Sequence, residues 1–304
     1  MDNKDSKDSK DDKSYWCIST KNIWCVSVDG SKFSQYGWEV TLEELYKQGD
    51  EIYVVHISNE EKTDVPYECQ SLTLLNKYEV ICKGIYPPLN YGLIFQPKTQ
   101  KNVHAMEDIY KIAKSKNATC LVMGFEGHKA NILKKELTKG IIYMINNITM
   151  PVLIIKERSI RKKKDTKGFN WLISLNSSKY SRTYFNSFNT ALSQVDMEND
   201  KVMGITLTRP GDGSDKKEVE EDFYNRCKQN NVKNCSFTYE LYDKKTDDIG
   251  RQIANFVNFS QERIDFVCLG FNKSKFTNIE DAPAINVIKF AMANVLYCPN
   301  PNTR

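Results

Sequence analysis

Apolar residues in this chain fall into short runs, and between the runs lie stripes with helical period. Ile23–Val28, Ile52–Ser58, Tyr91–Gln96, Thr119–Gly124 and Val152–Lys156 have the length of strands and predict five of them. Between the third and fourth, Val103–Lys116 places Val103, Met106, Ile109, Tyr110 and Ala113 on one helical face. Gly140–Ile148 stripes Ile141, Met144, Ile145 and Ile148 in the same way. Further along, Tyr184, Phe185, Phe188, Ala191, Leu192 and Val195 mark another helix, and Asp248–Phe259 shows Ile249, Ile253, Phe256 and Val257. Pro283, just after Asp281, suits a capped helix start.

The pattern occurs twice. "CVSVDGS" at 25–31 matches "LISLNSS" at 172–178, and "EIYVVHIS" at 51–58 matches "KVMGITLT" at 201–208. "CLVMGFEG" at 120–127 matches "FVCLGFNK" at 266–273, and "MPVLIIK" at 150–156 matches "ANVLYCP" at 293–299 more loosely. Four pairs in one order at a near-constant offset predict two tandem domains, 21–158 and 169–302. Residues 159–168 are then a basic linker, and 1–14 a charged tail predicted to be disordered. The linker reads as a solvated stretch, with a docking or localisation patch as the alternative. Strands alternating with amphipathic helices predict a parallel sheet covered on both faces. The expected fold is thus α/β, two tandem doubly wound (Rossmann-like) domains, each with a five-stranded parallel sheet.

Composition narrows the function. The net charge of +4 in a mixed background gives no case for nucleic-acid binding. No run of 18 apolar residues predicts a membrane span, and the polar start predicts no secretory signal. Asp2 and a cysteine-free C-terminus argue against the usual lipid anchors. Nine cysteines without a Cys-x-x-Cys motif, with Cys25, Cys120, Cys268 and Cys298 inside apolar runs, read as reduced core thiols of a cytoplasmic protein; a redox sensor is the alternative. His56, His104 and His128 have no zinc-ligand spacing.

In doubly wound sheets ligands bind beyond the carboxyl ends of the strands, where strand order reverses. The loops expected there are "VDGS" and "GFEG". The order of Val28-Asp29-Gly30-Ser31, a second strand ending His56-Ile57, Met123-Gly124-x-x-Gly127, and a closing helix running into Pro151-Val152-Leu153-Ile154-Ile155 resembles a tandem universal stress protein. The likeness is good over roughly 21–158 and weaker over 169–300. It implies five-stranded parallel sheets, pairing of two domains through their last strands, and in many members ATP binding. A tandem chain could make that pair within itself.

The family's nucleotide pattern, Gly-x2-Gly-x9-Gly-Ser/Thr, carries over in part. The resemblance places Asp29 near ribose and phosphates, Ile57 beside the adenine, and Gly124 and Gly127 in the phosphate loop. The last element departs: counting from Gly127 lands on Leu137-Thr138, counting back from Pro151 lands on Thr138-Lys139, and Gly140 comes two or three residues late. A side chain there obstructs the helix N-terminus, although Thr138 offers a hydroxyl and Lys139 a charge. In the second domain Asn176 replaces the aspartate and Lys273 the second loop glycine, so that copy is expected to keep its fold and lose its pocket.

Other phosphate and nucleophile motifs are absent: no Gly-x4-Gly-Lys-Ser/Thr, no Gly-x-Gly-x-x-Gly after either first strand, no Gly-x-Ser-x-Gly. Asp29, Ser31 and His56 do not make a hydrolase triad, because Ser31 fits a helix cap and His56 a central strand. The expectation is a non-enzymatic module that binds ATP or AMP, with Mg or Mn if ATP, in its first domain alone. It would regulate a protein partner during stress. The alternative is a ligand-free structural protein within a larger assembly; slow ATP hydrolysis stays open.

Overall fold

The computed structural model describes residues 21–59, 61, 63–127, 137–156, 168–175, 182–208, 216–241, 248–271 and 282–300, apart from the side chains of 182–186, 208, 216 and 241. The charged tail, residues 159–167 of the basic linker, Asn176, Lys273 and Asp281 lie outside these residues, as do the side chains of Tyr184 and Phe185.

The first half runs β1 (Ile23–Ser27), α1 (Lys32–Glu39), β2 (Glu51–Ser58), α2 (Ser71–Gly84), β3 (Tyr91–Pro97), α3 (Ala105–Ser115), β4 (Cys120–Gly124), α4 (Lys139–Asn147) and β5 (Val152–Ile155). The second repeats it with β6 (Asn170–Leu175), α5 (Arg182–Gln194), β7 (Lys201–Thr208), α6 (Lys216–Gln229), β8 (Asn234–Leu241), α7 (Ile249–Phe259), β9 (Phe266–Phe271), α8 (Pro283–Phe290) and β10 (Asn294–Pro299). The four matched sequence pairs fall on β1 and β6, β2 and β7, β4 and β9, and β5 and β10.

All ten strands form one sheet in the order β3-β2-β1-β4-β5-β10-β9-β6-β7-β8. Every ladder is parallel except the seam between β5 and β10, which is antiparallel with Ile154 opposite Val295 and Val152 opposite Tyr297. Two doubly wound units are thus joined edge to edge within one chain, as the resemblance implied.

Alternation along the strands builds two cores. Trp24, Val26, Leu153 and Leu296 face one side, where Trp38 of α1, Tyr78 of α2, Phe188 of α5 and Phe223 of α6 pack. Cys25, Leu121, Ile154 and Val295 face the other, against Ile109 of α3, Ile145 of α4, Ile253 of α7 and Ile288 of α8. Both cores run across the seam, so burial of apolar side chains ties the halves together. Cys25, Cys120, Cys268 and Cys298 are buried and unbridged in these cores, and burial pushes the Cys25 thiol up to about 12.

One buried constellation occurs in both halves. Asp50, before β2, accepts from the Asn22 amide at 2.8 Å, the Trp24 indole at 2.9 Å and the Lys47 amide at 3.0 Å. Asp200, before β7, accepts from the Phe169 amide at 2.8 Å, the Trp171 indole at 3.0 Å and the Asp196 amide at 2.9 Å. Each carboxylate ties the entry to one strand to the entry to its neighbour, at the sheet edge opposite the loops "VDGS" and "GFEG".

Helix starts differ in detail from the sequence reading. Val103 precedes α3, whose cap is His104, its ring Nδ1 accepting from the Met106 amide at 3.2 Å. Pro283 is the first residue of α8, but the capping position is Ala282, with no side-chain bond.

Candidate functional site: a cleft at the strand ends of the first half

Strand order reverses between β1 and β4, and the loops leaving these two strands meet there. After β1, Gly30 turns with φ +81°, and a Cβ on it would lie 2.6 Å from Cys69 Sγ and 2.8 Å from the Cys69 Cα. Only glycine fits that turn. The Asp29 carboxylate then accepts the Ser31 amide at 3.0 Å. Ser31 caps α1, accepting the Ser34 amide at 3.2 Å, and its hydroxyl donates to the Glu126 carbonyl at 3.4 Å. The cap expected from the sequence is formed, and it also pins the loop after β4.

The two loop glycines serve different ends. A Cβ on Gly124 would lie 2.6 Å from Phe33 Cβ and 2.9 Å from the Ser34 amide nitrogen, so Gly124 lets α1 approach the strand. A Cβ on Gly127 would lie 2.9 Å from Asp29 Oδ2, so the backbone at Gly127 abuts the carboxylate.

Asp29 and Ile57 line a cleft of about 890 Å³ at the carboxyl ends of β1, β2 and β3. His56, Cys69, Phe95, Gln96, Lys98 and His104 also line it. His56 Nδ1 lies 2.8 Å from the Val28 carbonyl. A carbonyl only accepts, so Nδ1 carries the hydrogen and, in the neutral ring, Nε2 is the acceptor. The β3–α3 loop is held by Asp108, which accepts the Thr99 amide at 3.0 Å and hydroxyl at 2.7 Å. That loop sets a basic rim with Lys98 and Lys101, the latter paired with Glu61 at 2.7 Å. Burial, then the charges of Lys98 and Lys139, hold the His104 imidazole below its ordinary range. Burial and then Asp29 push the Cys69 thiol up.

Thr138, Lys139 and Gly140 open α4 and are not among the residues lining this cleft. Thr138 Oγ1 accepts the Ile141 amide at 3.4 Å, so the helix N-terminus is capped from within. Lys139 is exposed, and a Cβ on Gly140 would meet Met106 at 3.5 Å and Met123 at 3.8 Å in ordinary contact. The structure thus gathers Asp29, Ile57 and Gly127, uses Gly124 for packing, and sets Thr138–Gly140 beside α3. Phe95, Gln96, Lys98 and His104 escaped the sequence reading because they come from β3 and its exit loop, where no motif points. Among the described residues, no group of three or more His, Cys, Asp or Glu is placed to hold a metal, and no helix is long and apolar enough to cross a membrane.

No family model and no curated protein matches the chain by sequence. Solved structures match by fold. A universal stress protein from Archaeoglobus fulgidus superposes with a TM-score of 0.58 at 14% identity, over 93% of this chain and 99% of that one. A functionally unknown protein from Pseudomonas aeruginosa gives 0.56 at 11% identity, over 95% of each chain. The cytoplasmic domain of a prokaryotic cation chloride cotransporter gives 0.52 at 10% identity, over 93% of this chain and 96% of that one. The chain therefore shares the fold of these structures, the universal stress protein among them, along nearly its whole length.

Proposed function

We propose that this protein is a non-catalytic regulatory module of the stress response whose first half binds an adenine nucleotide, ATP or AMP. The second half is a copy of the fold that serves as scaffold. The observation that carries this reading is the approach of Gly127 to the Asp29 carboxylate at the β1–β4 switch point. It adjoins a cleft of about 890 Å³, within the range of small-molecule sites. In this reading Ile57 lies beside the base, and Asp29 meets the ribose and the Mg or Mn that accompanies ATP. The Gly127 backbone faces phosphate, and Lys98, Lys101 and Lys139 raise the local positive potential.

The test is thermal unfolding with and without Mg-ATP or AMP. A ligand at 100 times its dissociation constant stabilises the fold by about 2.7 kcal/mol. Asp29→Asn, which keeps the turn's hydrogen bond to Ser31, should cut that gain. No shift at millimolar nucleotide sinks the reading.

One observation favours a second reading, a ligand-free scaffold in a larger assembly. Thr138 turns to the Ile141 amide the hydroxyl oxygen of the group that the family pattern would present to phosphate, and it does not line the cleft. Protein purified from its source would then release no nucleotide on mass spectrometry, and Asp29→Asn would leave its complexes intact.

A further inference from the structure

We propose that Lys156 couples the two halves, gripping the C-terminal end of α8 in the second half while seating the Gly124–Gly127 loop of the first through the Phe125 ring. Lys156 directly follows β5, and its side chain is buried at 7% exposure. Its Nζ donates to the Ile288 carbonyl and, at 2.6 Å, to the Ala291 carbonyl. These belong to the carbonyls that a helix leaves unsatisfied at the negative end of its dipole, where a cation is favoured. The same Nζ sits 4.6 Å from the centre of the Phe125 ring, a cation–π contact shielded from water. The Lys156 amide donates to Asn294 Oδ1 at 2.9 Å, at the start of β10.

Phe125 immediately follows β4, and its amide bonds to the Ile155 carbonyl at 2.9 Å. Two residues further on, Gly127 abuts Asp29. A contiguous path therefore runs from the cleft through the loop, Phe125 and Lys156 into α8. The reciprocal contact across the seam carries no charge. Tyr297 Oη donates to the Ile145 carbonyl at 3.4 Å, and Ile145 is the counterpart of Ile288 in the repeat. Among the described residues, the Lys156 side alone places an amine on a helix end and an aromatic ring of the loop after β4 at once. Given the nucleotide reading above, on which this one consequence rests, occupancy that firms the loop also firms α8, and the coupling works equally in reverse.

Hydrogen exchange on the full chain tests the coupling without ligand. Phe125→Leu, a change confined to the first half, should speed exchange of the Lys289, Phe290 and Ala291 amides by about fivefold or more. The amides of β8, remote from both groups, should not change. Lys156→Met should speed both those amides and the loop amides of Phe125 to Gly127. Adding Phe125→Leu to Lys156→Met should produce no further change in α8. Unaltered α8 exchange in Phe125→Leu overturns the proposal, as does a double variant whose α8 effects simply multiply. Should Lys156→Met fail to fold, Phe125→Leu alone decides. In a second arm, millimolar Mg-ATP should protect the amides of Asp29 and Ile57 in wild type and Lys156→Met, and α8 in wild type only. Absence of protection at Asp29 and Ile57 would refute the nucleotide reading and leave the coupling to the ligand-free arm. Protection there without any in wild-type α8 would overturn the coupling.

Discussion

At the amino ends of their strands the two halves are nearly interchangeable; at the carboxyl ends their sequences are not. Asp50 with Trp24 and Asp200 with Trp171 make the same three-donor arrangement. Even where the side chain changes, the task is kept: the Ile23 amide donates to Thr119 Oγ1 and the Asn170 amide to Asp265 Oδ2, each at 2.9 Å. At the other edge, the first half has Gly30 at positive φ and Gly127 against Asp29, while the sequence of the second has Ser177, Lys273 and Asn176 in the matching places. One edge meets the demands common to any copy of this fold. The other, in the nucleotide reading proposed above, meets the demands of a ligand, for which the sequence of the second half lacks the aspartate and both glycines.

The largest expected effect breaks the common edge. Asp50→Ala and Asp200→Ala each strand three donors, two of them buried, and should cost roughly 3–5 kcal/mol in urea unfolding. Costs that differ strongly between the two would show that the arrangements are alike in geometry only. Next, Gly124→Ala forces a Cβ into the α1 backbone and should cost about 1–3 kcal/mol.

The pH dependence of stability separates Lys156 from Pro299, its counterpart in the repeat. Burial pushes Lys156 down to about 7 from an ordinary 10.5, and the groups named around it (the Phe125 ring, two carbonyls and Asn294) are uncharged. The unfolded chain then binds more protons between these values, so stability climbs as pH rises from 7 towards 10.5. The slope is at most about 1.4 kcal/mol per pH unit, and Lys156→Met should flatten it. The smallest effect concerns the late glycine at the start of α4. Gly140→Ala meets only ordinary contacts inside a helix and should stabilise by about 0.5–1 kcal/mol, leaving nucleotide-induced shifts unchanged.

The strands were legible because apolar runs buried on both faces leave a strong local signal, and the repeat supplied the second half where single runs were ambiguous. The edge-to-edge pairing came from the resemblance, since no pattern in Val152–Ile155 names its partner strand. Of the residues that the resemblance pointed to, Asp29 and Ile57 line the cleft and Gly127 abuts Asp29. The packing role of Gly124 was not legible, because it depends on how closely α1 approaches. The Trp24–Asp50 and Trp171–Asp200 pairs passed unread, and their separations differ, 26 residues in one half and 29 in the other. A buried carboxylate held by backbone donors looks, in sequence, like any aspartate at a turn.

The antiparallel seam has a consequence for synthesis on the ribosome. All four residues of β5 are buried in the finished sheet, yet β10, the strand that covers its open side, is made only after β6 to β9. The newborn first half therefore waits with an apolar strand edge exposed, a template on which a neighbouring nascent chain can dock before its own partner emerges.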